Sequence, residues 1–228
     1  MTRPVLVIFD IDGTVLDSAP IHHGIIAAVL GAAGLDVTRK PWDAYRNYTD
    51  RGVIDELSQE IRGRPVSLEE LAAFDAAYRD AFAARHAATP VVEIAGARRL
   101  LDDLTALPSV HVAFATGSLP AVARSKLALL DIDPDTAILA TSGDGITREA
   151  IVETAIAAAE SRAGCALDLV ILGDGKWDER TAANLGIPFV AVETGTYRFG
   201  DGPVLKAADL SGLTARDLVA LAQPQRER

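Results

Sequence analysis

Two carboxylates one residue apart, Asp10 and Asp12, directly follow the apolar run Val5 to Phe9. Carboxylates this close repel each other unless a cation lies between them, and their hard oxygen ligands suit Mg²⁺. An aspartate can also act as a nucleophile and form a covalent intermediate. The pair therefore predicts a site that holds a divalent cation. The alternative is a plain Asp-Gly turn, in which the side chains only bond nearby amides.

Later apolar runs of the chain also end in polar side chains. These side chains are Thr116, Thr141, Ser142 and Asp174, with Asp178 shortly after the last of them. In a parallel sheet, ligands collect at the carboxyl ends of the strands, so we expect this set to gather with Asp10 at one edge. Thr116 would offer its hydroxyl to an anion there. Asp178 has two interpretations, either as support for the metal or as the cap of a helix beginning at Glu179.

Short apolar runs recur along the chain and alternate, in its later part, with Ala- and Leu-rich segments of helical spacing. The runs are Val5 to Phe9, Val110 to Ala115, Ala137 to Ala140, Leu169 to Leu172 and Phe189 to Val192. Such alternation is typical of βαβ units. The sequence therefore predicts an α/β fold with a doubly wound parallel-sheet, Rossmann-like core.

A stretch of roughly seventy residues after Asp17 lacks this alternation and is far longer than the usual connection between a strand and a helix. Three helices are predicted within it from apolar spacing and capping residues. They begin near Ser18 and Pro20, at Asp50, and after Ser67, which is followed by Glu70 as in a capping box. We expect residues 17–90 to form an α-helical cap domain inserted into an α/β catalytic core of residues 1–16 and 91–228.

Composition excludes several classes of function. The formal net charge of -10 argues against a nucleic-acid-binding surface, which needs clustered lysine and arginine. No apolar run approaches the length that spans a bilayer, so we expect no membrane partner. The only cysteine is Cys165, which rules out an intramolecular disulfide and fits a reducing compartment. The expected location is the cytoplasm, and the oligomeric state is left open.

Three segments together resemble a known enzyme superfamily. Asp10-Ile11-Asp12-Gly13-Thr14 resembles the first signature of the haloacid dehalogenase superfamily, Phe114-Ala115-Thr116-Gly117-Ser118 resembles its second, and Gly173-Asp174-Gly175-Lys176-Trp177-Asp178 resembles its fourth. The order of these motifs and the helical insert after the first one resemble the subfamily of phosphoglycolate phosphatases and β-phosphoglucomutases. The resemblance implies a Mg²⁺-dependent phosphatase that works through an aspartyl-phosphate.

Site roles follow from this resemblance. It implies that Asp10 is the nucleophile and that Asp12 protonates the leaving alcohol and then activates water. It places Mg²⁺ between Asp10, the backbone carbonyl of Asp12 and Asp174, with Asp178 as further support. The substrate would be a small phosphorylated metabolite.

Substrate-binding groups are predicted in three places. The amides of Gly117 and Ser118 precede a helix marked by Pro120, and a helix start of this kind binds anions. Gly13, in the first motif, is also expected to lie against the substrate. In the predicted cap, the loop from Tyr45 to Gly52 carries Arg46, Tyr48, Asp50 and Arg51 as candidates for substrate selection, and Arg51 is the preferred one.

The third signature of the superfamily is usually a lysine, often followed by proline, and no such pair exists here. Arg148 is the preferred substitute, because it stands at a predicted helix start, where a cation opposes the helix dipole and is poorly placed for stability alone. An arginine could hold a phosphoryl group by two parallel hydrogen bonds. Lys126 and Lys176 are the rival cations.

Several residues have a plainer interpretation. His22 and His23 lie on the first predicted cap helix, whose apolar face would carry Ile21, Ile25 and Val29. We expect these histidines to lie on a solvated face rather than at the site. Trp42 and Trp177 are interpreted as packing residues.

The leading hypothesis is a phosphatase acting on a phosphoglycolate-like or sugar phosphate ester. A β-phosphoglucomutase-like mutase would keep the same intermediate and return the phosphoryl group to a bound sugar. A phosphonate hydrolase would need an activated cap lysine, and the predicted cap offers only Lys40. A non-catalytic binding or regulatory module is the remaining alternative. The presence of both Asp10 and Asp12 speaks against it, and also against a dehalogenase, which in this superfamily lacks the second aspartate.

Overall fold

The structure of the protein, a computed structural model, describes residues 3–223. In chain order its strands and helices are β1 (Val5–Phe9), α1 (Ala19–Ala32), α2 (Asp50–Arg62), α3 (Leu68–Ala88), α4 (Ala97–Thr105), β2 (Val110–Ala115), α5 (Pro120–Leu129), β3 (Ile138–Ala140), α6 (Arg148–Ala163), β4 (Asp168–Gly173), α7 (Lys176–Leu185), β5 (Phe189–Val192), β6 (Leu205–Ala207) and α8 (Ala215–Ala222). Two short 3₁₀ turns, Val37–Arg39 and Trp42–Ala44, lie between α1 and α2.

The strands form one parallel sheet in the order β3-β2-β1-β4-β5-β6. The chain starts in the middle and winds outward in both directions, so the predicted doubly wound, Rossmann-like core is confirmed. At the end of β1, Phe9 is paired with Phe114 of β2 and Leu172 of β4. The residues that follow these three strands therefore emerge side by side at one edge of the sheet.

Burial explains why the central strands were predictable. All residues of β1 are buried, with Val7 and Phe9 in one apolar cluster and Leu6 and Ile8 in the other, on opposite faces of the sheet. A strand covered on both faces has a continuous apolar sequence. β6 was not predicted, because it is a short edge strand that includes the exposed Lys206.

The segment between β1 and α4 is helical, as expected, and its helices α1, α2 and α3 form the helical insert. α3 begins after the predicted capping box, in which the Ser67 hydroxyl accepts from the Glu70 amide and the Glu70 carboxylate accepts from the Ser67 amide. Tyr78 and Phe82 of α3 are buried, and α3 packs against both α1 and α5. The division into a cap domain of residues 17–90 and a core stays a prediction. Within residues 3–223, no helix is both long and apolar enough to cross a membrane.

Candidate active site

Asp10 is the first residue after the central strand β1. Its amide donates to the Leu172 carbonyl at 3.0 Å, which continues the pairing with β4 and fixes the backbone. The side chain is nearly buried, with 5% exposure, and Oδ1 accepts from Arg148 Nη2 at 2.9 Å. Burial, followed by repulsion from Asp178, raises the pKa of the Asp10 carboxyl to about 7, although Arg148 opposes this shift. Asp10 thus lies beside one cation, Arg148, and beside the carboxylates of Asp174 and Asp178.

Asp12 has a different environment one residue further on. Its Oδ1 accepts from the Ser18 hydroxyl at 2.5 Å, and its Oδ2 accepts from Lys126 Nζ at 2.6 Å and from the Ser118 hydroxyl at 3.0 Å. Burial would raise the pKa of the Asp12 carboxyl, but Lys126 and then His22 hold it well below its usual range. The pKa values of Asp10 and Asp12 are therefore shifted in opposite directions, as is expected for two carboxylates with different roles.

A cluster of three buried carboxylates lies at this edge of the sheet. Oxygens of Asp10, Asp174 and Asp178 lie within 4.8 Å of one another. Asp174 follows β4, and its Oδ1 is buried without a hydrogen-bond partner. Burial, and next the charge of Asp10, raises the pKa of Asp174 to about 9. A buried carboxylate oxygen with no partner carries an uncompensated cost, and a divalent cation would remove it. The donor set of carboxylate oxygens fits Mg²⁺.

Asp178 caps a helix, which is one of its two interpretations, and it also lies in the carboxylate cluster. α7 begins at Lys176 rather than at the predicted Glu179, so Asp178 lies in the first helical turn. Its Oδ2 accepts from the Gly175 amide at 3.2 Å, which caps the helix. Its Oδ1 accepts from Arg148, which ties it to the carboxylate cluster.

Arg148 is the first residue of α6 and has 8% exposure. Its Nη2 atom contacts both Asp10 and Asp178. Burial would lower the pKa of the Arg148 guanidinium, but these two carboxylates raise it above its ordinary value. A Cβ built on Gly117 would lie 3.1 Å from Arg148 Nη1. The guanidinium thus extends from the nucleophile candidate to the loop after β2. The rival Lys126 lies against Asp12 instead, and Lys176 lines a neighbouring cavity.

The start of α5 differs from the prediction of a phosphate-binding helix end. The Leu119 amide donates to Asp50 Oδ2 at 3.0 Å, and the Ala121 and Val122 amides donate to Asp75. Helix N-termini stabilise negative charge, and here two carboxylates of the helical insert already supply it.

The residues before α5 are nevertheless at the site. Thr116 is buried, and its hydroxyl accepts from the Ser118 amide at 3.1 Å. The Ser118 amide, predicted as a phosphate donor, is bonded within the loop in this structure, and the Ser118 hydroxyl bonds Asp12. Thr116 and Gly117 line the cavity beside Asp10.

His22 contradicts its predicted place on a solvated face. It has 8% exposure, and its Nε2 lies 2.9 Å from Asp50 Oδ1. Its Nδ1 lies 3.0 Å from Lys126 Nζ and 3.7 Å from Asp12 Oδ2. The buried face of α1 consists of His22, Ile26 and Leu30, one residue beyond the predicted apolar face. His22 therefore joins the helical insert to the proton-transfer candidate Asp12.

A small cavity of about 60 Å³ lies between the helical insert and the sheet edge. The predicted site residues that line it are Asp10, Asp12, Thr116, Gly117, Ser118, Arg148 and Asp174, with Tyr48 and Asp50 from the candidates for substrate selection. Trp42 and Trp177, interpreted as packing residues from the sequence, also line it, together with His22 and His23. The position of both tryptophans on the cavity wall corrects that interpretation.

Two predicted substrate-binding residues lie elsewhere. Arg51 is outside the cavity lining, and its Nη1 lies 3.3 Å from the Gly143 carbonyl. Gly13 is also outside the lining. It has a φ of 82°, and a Cβ there would overlap the Asp174 carboxylate. Gly13 is thus needed for the close approach of the first motif to Asp174. A substrate contact for either residue stays a prediction.

Comparison with known proteins agrees with this architecture. The model of the family described as haloacid dehalogenase-like hydrolase matches residues 5–186. Curated proteins give no match.

Solved structures with a similar fold include a hydrolase from Pseudomonas syringae, with 21% identity over 92% of this chain and 95% of that chain, at a TM-score of 0.69. A candidate beta-phosphoglucomutase from Bacteroides vulgatus has 19% identity over 98% of this chain and 92% of that chain, at a TM-score of 0.68. CbbY from Rhodobacter sphaeroides, in complex with phosphate, has 15% identity over 92% of this chain and 96% of that chain, at a TM-score of 0.63.

Proposed function

Because the chain belongs to the haloacid dehalogenase-like hydrolases, we propose that it is a Mg²⁺-dependent phosphatase of small phosphate monoesters. The observation that carries this proposal is the paired environment of the first motif. Asp10 lies against Arg148 in a cluster of carboxylates, while Asp12 lies against Lys126 and two hydroxyls. This arrangement offers a nucleophile and a separate proton-transfer group one residue apart.

The metal would be held by Asp10, Asp174 and the backbone carbonyl of Asp12, with Asp178 supporting the site from the first turn of α7. The partnerless Asp174 oxygen and the raised pKa values of Asp10 and Asp174 favour a cation at this position. Bound Mg²⁺ would offset the repulsion between the carboxylates and an incoming phosphate.

In the first step, an Asp10 oxygen attacks phosphorus, and the bond from phosphorus to the leaving oxygen breaks, giving an aspartyl-phosphate. Asp12 gives a proton to the leaving oxygen. Asp12 is ionised in the resting protein beside Lys126, and the approach of a phosphate dianion would raise the pKa of its carboxyl, so that it takes up this proton from solvent before the step. In the second step, Asp12 takes a proton from water, which attacks phosphorus and releases Asp10.

Arg148 and Thr116 would hold the phosphoryl group during both steps. Arg148 reaches from Asp10 towards Gly117, and a guanidinium can bond two phosphoryl oxygens at once. This geometry supports the proposal that Arg148 takes the role that a lysine usually has in the third signature. The helical insert would act as a cap and exclude bulk water from the intermediate.

A release assay tests the proposal. Purified protein is incubated with a panel of small phosphate esters, including phosphoglycolate and sugar phosphates, with Mg²⁺ or with EDTA, and inorganic phosphate is measured. We expect release that depends on Mg²⁺. No release from any ester, together with no effect of EDTA, would overturn the proposal. Interconversion of sugar phosphates without net release would identify a mutase instead.

A further inference from the structure

We propose that the cavity selects phosphate esters whose leaving group is uncharged and carries a ring, and that it rejects leaving groups with a second anion. This inference rests on the proposed phosphatase function and specifies its substrate class. Among the phosphatase substrates expected above, it favours uncharged sugar-like or aryl leaving groups over phosphoglycolate.

The first observation is a continuous aromatic wall. Trp177 of α7 stacks on Tyr48 of the helical insert, with ring centroids 3.7 Å apart and planes 8° from parallel. The Tyr48 hydroxyl lies 3.3 Å from His23 Nε2, and His23 stacks on Trp42 at 4.7 Å and 25°. All four rings line the cavity. Aromatic walls of this kind offer flat apolar surface to a ring in the ligand.

The second observation is the distribution of charge in the cavity. Among its lining residues in the described part of the chain, Arg148 is the only lysine or arginine, and it is already paired with Asp10 and Asp178. Lys126 and Arg51 are not lining residues. A phosphoryl group beside Asp10 would therefore use the guanidinium, and a second anion on the leaving group would have no lysine or arginine left to pair with.

The groups of the helical insert that face the cavity further disfavour a second anion on the leaving group. His23 is neutral near pH 7, since burial, followed by the charge of His22, lowers its pKa to about 4. Asp50 also lines the cavity and is buried, with its carboxylate bonded to His22 and to the Leu119 amide. An anionic leaving group would thus lose its hydration next to aromatic rings and a carboxylate, and an unpaired buried charge is strongly unfavourable.

The size of the cavity shows how a ring would be admitted. The cavity, of about 60 Å³, is small beside a phosphate ester that carries a ring, so binding of such an ester would be favoured by an opening of the wall. Tyr48 belongs to the helical insert and Trp177 to α7. Outward movement of the insert would separate these two rings and expose both of their faces to the leaving group.

Two pairs of esters of closely similar size, each with a neutral and an anionic leaving group, test the inference. 4-Carbamoylphenyl phosphate is compared with 4-carboxyphenyl phosphate, and 2-hydroxyethyl phosphate with phosphoglycolate, by initial rates of phosphate release with Mg²⁺. We expect kcat/KM to be at least ~10-fold higher for the neutral member of each pair, which corresponds to about 1.4 kcal/mol. An equal or higher value for the anionic members would overturn the inference and leave the phosphatase function intact. Absence of release from all four esters would overturn the inference, and absence of release from the wider panel as well would overturn the proposed function.

A pair of variants tests the aromatic wall. Trp42→Leu removes the ring, and Trp42→Phe keeps one. We expect Trp42→Leu to lower kcat/KM for phenyl phosphate at least ~5-fold, mainly through KM, with a smaller loss for 2-hydroxyethyl phosphate, and we expect Trp42→Phe to restore most of it. Thermal unfolding of both variants shows whether each is folded. Equal losses for both esters in folded Trp42→Leu protein would contradict a role of the wall in ring recognition.

Discussion

Lys126 Nζ lies 2.6 Å from Asp12 Oδ2, and the lysine side chain is fully buried, with 0% exposure. The ammonium also contacts the Ser118 hydroxyl at 2.8 Å, so the pair belongs to a network around the proton-transfer candidate. Buried ions are costly to remove from water, and each therefore depends on its partner. This relationship makes Lys126 the group that holds Asp12 in its ionised form and in place.

Removing the lysine charge should destabilise the protein through Asp12. Lys126→Met keeps most of the apolar stem and leaves the carboxylate without its cation, so we expect the free energy of unfolding to fall by about 3 kcal/mol. The double variant Asp12→Asn with Lys126→Met should recover most of this loss, because no unpaired ion remains. Denaturant unfolding of the four proteins of this cycle measures the coupling. Additive losses in the double variant would show that the two side chains do not depend on each other.

Arg148 should matter for catalysis far more than a surface arginine. We expect Arg148→Ala to lower kcat about 100- to 1000-fold, the usual effect of removing one preorganised group that stabilises developing charge. Arg148→Lys should recover part of the activity as a point charge. Arg79→Ala, an exposed position on α3, is the matched control and should change little. Near-normal turnover in Arg148→Ala would remove the arginine from the mechanism.

Gly13 and Gly24 offer a matched pair of glycine-to-alanine changes. At Gly13 the positive φ and the nearby Asp174 carboxylate leave no room for a Cβ, whereas at Gly24, within α1, nothing lies within 4 Å. Gly13→Ala should therefore displace Asp174 and weaken Mg²⁺-dependent activity at least ~10-fold, while Gly24→Ala should stabilise α1 by about 0.5–1 kcal/mol. Titration of activity with Mg²⁺ and thermal unfolding test both variants. If Gly13→Ala and Gly24→Ala showed the same Mg²⁺-dependent activity, the close approach of Gly13 to the Asp174 carboxylate would be contradicted.

The carboxylate cluster should make Mg²⁺ binding depend on pH. In the metal-free protein the pKa values are raised to about 7 for Asp10 and about 9 for Asp174, above the ordinary 3.8. The folded state thus keeps protons that the unfolded chain loses, and the stability that these groups contribute is lost as pH rises through these folded values. Because Mg²⁺ binds the ionised carboxylates, its stabilising effect should grow from pH about 5.5 to about 8.5.

Thermal unfolding with Mg²⁺ and with EDTA across this range measures the effect. Asp10→Asn should remove the part of the pH dependence centred near pH 7, since it removes the group that titrates there. An increment in Tm that is the same at every pH would contradict binding of the ion at this cluster.

The central strands could be predicted because each is a continuous apolar segment, and the residues after β1, β2 and β4 meet for a topological reason. Contacts between the insert and the sheet edge could not be predicted in the same way. Lys126 and Asp12 are far apart in the sequence, and nothing local pairs them.

The sequence does contain a signal for the buried positions of His22 and Lys126. His22, Ile26 and Leu30 recur every four residues on the buried face of α1, and Lys126 lies with Val122 on the buried face of α5. A polar residue at an apolar position of a helix indicates a buried polar contact. Its partner still depends on how the helices pack, which the sequence pattern does not specify.

Direct capture of the phosphoryl-enzyme tests the central claim, that Asp10 attacks phosphorus. Protein is mixed with ³²P-labelled phenyl phosphate and Mg²⁺, quenched in acid within milliseconds, and analysed for protein-bound label and its loss to hydroxylamine, which cleaves acyl phosphates. We expect wild-type protein and the control Asp201→Asn, a change in an exposed loop, to carry hydroxylamine-labile label, and Asp10→Asn to carry none. Label on the Asp10→Asn protein, or phosphate release by it at a near-normal rate, would contradict the account.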